Sequence, residues 1–347
     1  MLESFKEVLD IFLERDEGKI RFGYALLWDK NKDAEDSTLE NFSGITNVDK
    51  PFQASIKLIS DGSNQGLTGF QNEKYCCEVQ GDDKCGIFNF TNPPKETEGS
   101  SKPDFTKLAK AANNKGWPLM IHANGDRAID LTLDVYEKVI KTPSTKEGLI
   151  KKRHRIEHCS LLNEKRIDKM KELGISPSFL IGHVGYWGYS FYKTIFKEKA
   201  FNQLDLCKSS IDKGIKISLH SDYAVSPLGP LRLMEQAVTR IMEYKNHEKE
   251  NTDCPKDKIE DEIDVLNENE KISREEALRA ITTDAAWQCN CDNLVGDLDK
   301  GKKADYIILE NDPITIKNVR VIRDIKVLHR WIGGKEVDPY KLKDAIC

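Results

Sequence analysis

Three short stretches of this chain carry side chains able to do chemistry, and their spacing is regular. In residues 118–126, PLMIHANGD, an apolar run enters His122 and a Gly-Asp turn then opens a helical pattern. That is how a buried parallel strand ending at an imidazole reads. Residues 153–159, RHRIEHC, repeat the arrangement and place His158 36 residues after His122, and residues 216–222, KISLHSD, place Asp222 a further 64 residues along. One strand-plus-helix unit of a (β/α)8 barrel takes about 31 residues, so the two steps are close to one unit and two. Imidazoles and a carboxylate at the C-terminal ends of parallel strands suit a divalent transition metal.

The elements that must hold these residues are legible around them. Residues 54–62, ASIKLISDG, form a strand with a charge in its middle, and alternation puts Lys57, Ile59 and Asp61 on one face. Lys57 and Asp61 are thus both candidates to point into a barrel. An amphipathic helix is expected at 2–16, a strand at 20–28, and a long insertion over the barrel top at 63–103. A helix follows at 105–115, ended by Gly116, then a helix with Asp126 as N-cap and Ile129, Leu133, Tyr136 and Ile140 on its core face. Asn163 caps a helix that stops at Gly174. A strand over 175–181 leads to His183 and an aromatic loop (Tyr186, Trp187, Tyr189, Phe191, Tyr192), which either walls an apolar substrate pocket or packs beneath itself. Residues 231–244 read as helix, 245–271 as a charged surface loop, and Ser273 with Glu276 as a capping box for a helix through Ile281.

Beyond Leu294 the pattern changes to short strands at 305–309, 319–322 and 327–332, with Gly333 and Gly334 as a turn. The chain is therefore divided into residues 1–290, an α/β barrel of the TIM type, and residues 291–347, strands of a small β-sandwich domain. Six barrel strands are found where a closed barrel has eight. The expected fold is a (β/α)8 barrel lacking its first two strands, with that pair upstream of Met1.

Composition narrows the function. Lys plus Arg number 53 against 58 Asp plus Glu over 347 residues, a net charge of −5, so no basic excess points to nucleic acid or an anionic membrane. No apolar run approaches the roughly 20 residues needed to span a bilayer, and the acid-containing N-terminus does not resemble a signal peptide. A cytoplasmic protein is the expectation. Nine cysteines is an odd count in a long chain, which reads as reduced thiols, and neither Cys289 with Cys291 nor the Cys76, Cys77, Cys85 group has the paired spacing of structural zinc.

In this order and spacing, residues 56–62, 121–127, 155–158, His220 to Asp222 with Pro227 and Pro230, and Gly296 to Asp305 resemble the amidohydrolase superfamily, and within it the YtcJ-like group. The resemblance runs from about residue 54 to 338. It implies hydrolysis of a non-peptide C–N bond in a small amide, with a divalent metal, zinc by its donor types, as cofactor. It implies that His122 and His158 bind the more exposed ion, that Lys57 occupies the place of a bridging lysine that can be carboxylated, and that Asp222 is both ligand and acid/base. The family's His-x-His of the first barrel strand occurs nowhere here and is expected upstream, in a truncated or split gene.

Bland readings stand beside these. His220 shares a face with Asp222, and His154 with His158, which favours packing or support of the ligands. His183, Asn124 and Asp61 are candidate substrate contacts, while Asp126 as helix cap and Arg127 as surface charge are the plainer assignments. The alternative to an enzyme is a non-catalytic remnant or interaction protein, whose open barrel edge is covered by a complementing chain or a second copy.

Overall fold

The computed structural model describes residues 20–77, 84–91, 102–140, 152–243 and 264–337. The helix expected at 2–16 and most of the charged segment expected at 245–271 lie outside them. Six strands, β1 (Gly23–Leu27), β2 (Phe52–Ile59), β3 (Leu119–Ala123), β4 (Arg155–His158), β5 (Ser176–Leu180) and β6 (Ser218–His220), pair in chain order, every pair parallel. They are the six strands expected from the sequence. Within the described residues β1 and β6 are the two edges of this sheet.

Alternation gives the sheet two different faces. Ile56, Leu58, Leu119, Ile121, Ile156, Phe179 and Leu219 form one core with Leu108, Ile129, Leu133 and Tyr136 from the covering helices. Burying such side chains stabilises by about 1.5–3 kcal/mol each. The opposite face is mainly polar, with Ser55, Lys57, His122, Arg155, Glu157, Ser176, Ser178, Ser218 and His220, and the apolar Met120 among them, alternating against the apolar set. This inward face is the one that can do chemistry.

Helices fill the connections: α1 (Phe105–Asn114), α2 (Asp126–Ile140), α3 (Glu164–Leu173), α4 (Pro230–Thr239), α5 (Arg274–Ile281) and α6 (Thr283–Gln288). Asn163 caps α3 by accepting from Arg166 N, and Gly174 closes it at φ 66. The Ser273–Glu276 capping box opens α5 as expected. Asp126 does not cap α2. Its carboxylate instead accepts from Asn72 N (2.8 Å) and pairs with Lys199 (2.9 Å), because the loop after β2 and the segment after β5 both offer partners from outside the helix. Arg127 is exposed and stacks on Phe70.

The C-terminal region forms an antiparallel sheet of β7 (Tyr306–Leu309), β8 (Val327–Ile332) and β9 (Lys335–Glu336), with Gly333 and Gly334 at positive φ in the β8–β9 turn. Residues 319–322, expected as a strand, belong instead to the 3-10 turn Val319–Asp324. Asn318 caps it, Ile322 is fully buried in the main core, and Arg323 pairs with Glu235 (2.6 Å) and Glu243 (2.9 Å), so packing on α4 overrides the strand propensity. Among the described residues no helix is long and apolar enough to cross a membrane.

Candidate active site

The polar face of the sheet ends in a group of imidazoles. Each apolar run that makes a strand also fixes where its last side chain stands, and β3 and β4 are neighbours in register, with His122 beside Glu157 and Ala123 beside His158. Alternation alone would send His158 to the apolar face with Ile156. The backbone departs from it: His158 has φ 66 and Cys159 φ 49, left-handed values that cost a side-chain-bearing residue about 1–3 kcal/mol each. The turn brings the His158 ring back to the polar side, 4.4 Å from the His122 ring and 5.1 Å from that of His220.

The hydrogen bonds decide which nitrogens are left for a ligand. His122 Nε2 meets Gly62 O at 3.0 Å and Asp61 Oδ1 at 3.2 Å, which leaves Nδ1 without a partner among the described residues. His158 Nδ1 meets His220 Nε2 at 3.1 Å, which leaves His158 Nε2. Burial, reinforced by His122 and His220, holds His158 well below the ordinary imidazole value, so it is neutral and able to ligate. Burial lowers the Lys57 ammonium as well, opposed by the charge of Glu157. Asp222 is exposed at the rim after β6, at φ 49, and its charge is felt by both Lys57 and His220.

The substrate candidates are placed unequally. Asn124 is buried; its side-chain nitrogen lies 3.0 Å from Gly62 O and 3.2 Å from His122 Nε2, and its oxygen accepts from Ser160 Oγ (2.7 Å). His183, expected at a strand end, sits on a helical turn, Gly182–Gly185, just after β5. It is fully buried, its Nδ1 lies 3.0 Å from Ser160 Oγ, and its Nε2 has no partner among the described residues. Burial lowers it to about 3. Asp61 is fully enclosed and accepts from Phe70 N (2.8 Å), Asn124 N (3.0 Å) and Gly125 N (2.8 Å). Its carboxylate is therefore spent on seating the loop over β3, and a substrate would not reach it. Gly125 completes that seat, since a Cβ there would lie 2.0 Å from Phe70 O.

Beneath the imidazoles lies a network that reading from the sequence missed. Arg155 and Glu157 form a buried ion pair, and Arg155 Nη1 donates to Gln288 O (2.8 Å). The Gln288 side chain, at the end of α6, donates to Pro177 O (2.8 Å) and Ser176 Oγ (3.1 Å) and accepts from Ser218 Oγ (2.5 Å). Burial pushes the Glu157 carboxyl up, but Arg155, Lys57 and His220 outweigh it and bring it to about 2. The signal available was the pair of charges two apart in a short apolar strand, the same signal that marks Lys57. His154, just before β4, is a packing residue whose Nδ1 accepts from Leu119 N (2.9 Å).

Among the described residues no three His, Cys, Asp or Glu side chains are gathered as a finished metal cage. What the site offers is two facing imidazoles, each with one nitrogen uncommitted among the described residues, and this donor chemistry fits a divalent transition ion. The profile of the amidohydrolase family, Amidohydro_3, matches residues 39–338. The chain belongs to that family. It is 27% identical over 234 residues to N-substituted formamide deformylase of Arthrobacter pascens, covering 67% of this chain and 39% of that protein. It is 25% identical over 271 residues to the putative amidohydrolase YtcJ of Bacillus subtilis, covering 76% and 43%. The chain thus spans about two fifths of the length of these amidohydrolase relatives. In fold it is similar to an uncharacterized metal-dependent hydrolase from Pyrococcus horikoshii, with a TM-score of 0.64 and 20% identity over 90% of this chain and 55% of that one.

Proposed function

We propose that this site hydrolyses a non-peptide C–N bond in a small amide, with a divalent metal, zinc by donor chemistry, held by His122 Nδ1 and His158 Nε2 and completed by Lys57 and Asp222. The observation that carries the reading is the contact of two imidazoles at the ends of adjacent parallel strands, 4.4 Å between ring centroids. Such an ion, when bound, polarises a carbonyl and lowers the pKa of water to about 7. The protein's own groups do the rest. Asp222, exposed at the rim, takes a proton from the attacking water and passes it to the leaving nitrogen. Lys57, whose ammonium is disfavoured by burial, is the amine able to take up carbon dioxide and become an anionic ligand. Asn124 and His183, joined through Ser160, orient the substrate beside the imidazoles. The name of the formamide deformylase relative supports an amide substrate.

Metal content of the full chain by mass spectrometry, for wild type and His122→Ala, tests this. The expected result is a stoichiometric divalent ion in the wild type, lost in the variant, with chelator-sensitive turnover in a screen of small amides. No metal in the wild type after reconstitution would overturn the proposal. It would favour a second reading, drawn from the edges that β1 and β6 form among the described residues, in which the chain is an interaction partner whose sheet is covered by a second copy or another protein.

A further inference from the structure

His220 touches the proposed ligand His158 without being assigned to the reaction, and both of its ring nitrogens are committed. Nδ1 lies 3.1 Å from Ser178 Oγ on β5, and Nε2 lies 3.1 Å from His158 Nδ1 on β4. A ring held at both ends cannot rotate. Ser178 is itself buried and stands on the same polar face, one strand from each imidazole's own strand, so three adjacent strands contribute one residue each to a single row.

We infer that His220 is a positioning residue: through the Ser178–His220–His158 row it fixes the orientation and tautomer of His158, so that Nε2 of His158 is presented to the metal. The inference rests on the metal-binding reading of the same site. When His158 binds through Nε2, its Nδ1 carries the proton and donates it to His220 Nε2. His220 Nδ1–H then donates to the Ser178 hydroxyl. Imidazole ligands almost always donate their second N–H in this manner, and removing the acceptor weakens metal affinity by about 10–100-fold. The left-handed φ of 66 at His158 turns the side chain onto the polar face, and the contact with His220 then fixes the rotation of the ring there.

Cobalt(II) titration of the full chain, read by visible absorption and calorimetry, tests the inference in His220→Gln, His220→Ala, Ser178→Ala and the wild type. The expected result is cobalt binding weakened about 10–100-fold in His220→Ala, with an absorption envelope matching the wild type because no ligand is lost. His220→Gln, whose amide oxygen can accept from His158 Nδ1–H, recovers part of the affinity, and Ser178→Ala weakens binding less than His220→Ala. Circular dichroism of each variant separates these effects from unfolding, with His220→Gln as the variant to read if His220→Ala does not fold. Unchanged affinity in both His220 variants overturns the inference and leaves the metal site standing. A changed envelope in His220→Gln overturns it too, since His220 would then be a ligand. A wild type that takes up no cobalt removes the metal-binding reading, and this inference with it.

Discussion

Glu157→Gln is the perturbation whose consequence the structure fixes best. The Arg155 and Glu157 side chains are 8% and 7% exposed and pair with each other inside the sheet's polar face. Moving a carboxyl from the ordinary 4.5 to about 2 corresponds, at about 1.4 kcal/mol per tenfold, to about 3 kcal/mol of stability. Removing one partner of a buried ion pair costs about 3–5 kcal/mol, because the other charge is left uncompensated. The two routes agree. Urea denaturation of the metal-free chain at pH 7, followed by circular dichroism, is expected to show a loss of about 3 kcal/mol for Glu157→Gln, a similar loss for Arg155→Met, and a double variant costing clearly less than the sum. The pH dependence has a definite sign. The folded pKa lies below the unfolded one, so the contribution is complete above the unfolded value of 4.5 and fades as pH falls toward about 2. That acid-side fall is expected to be shallower in Glu157→Gln. Single losses that simply add, within about 0.5 kcal/mol, would refute the reasoning, since they would mean that the two groups act independently.

Two further outcomes follow from individual contacts. Asp61→Ala leaves the amides of Phe70, Asn124 and Gly125 without their acceptor; at about 1–3 kcal/mol per orphaned donor the expected loss is at least about 3 kcal/mol, with a smaller one for Asp61→Asn, both read by thermal melting. Ser273→Ala removes the capping box of α5 and is expected to cost about 1 kcal/mol in the same assay while leaving metal content unchanged.

Some of this was written locally in the chain. Each of the six parallel strands announced itself as an apolar run bounded by turn residues, and the helices between them by capping residues such as Asn163 and Ser273. Lys57, His122 and His158 stood out because polar groups at those points of an apolar strand have no local reason to be there, and Asp222 because it stands just after such a strand. The misreadings share one cause. Asp126 looks like an N-cap until the loop after β2 supplies Asn72 and the segment after β5 supplies Lys199. Residues 319–322 look like a strand until Glu235 and Glu243 of the α4 region claim Arg323. Each competing partner is distant in sequence, and a local pattern cannot weigh it.

The sequence by itself determined the parallel strands, their order along the chain and the identity of the chemically able side chains, because periodicity and spacing are local properties. Only the tertiary structure decided how those side chains are used. It turned His158 out of alternation through a left-handed φ, enclosed Asp61 in backbone amides, and set His220 between Ser178 and His158. It also brought Gln288 under Arg155, across 133 residues of chain. Hydrogen-bond partners and desolvation depend on which surfaces meet, and those surfaces exist only once the strands have assembled.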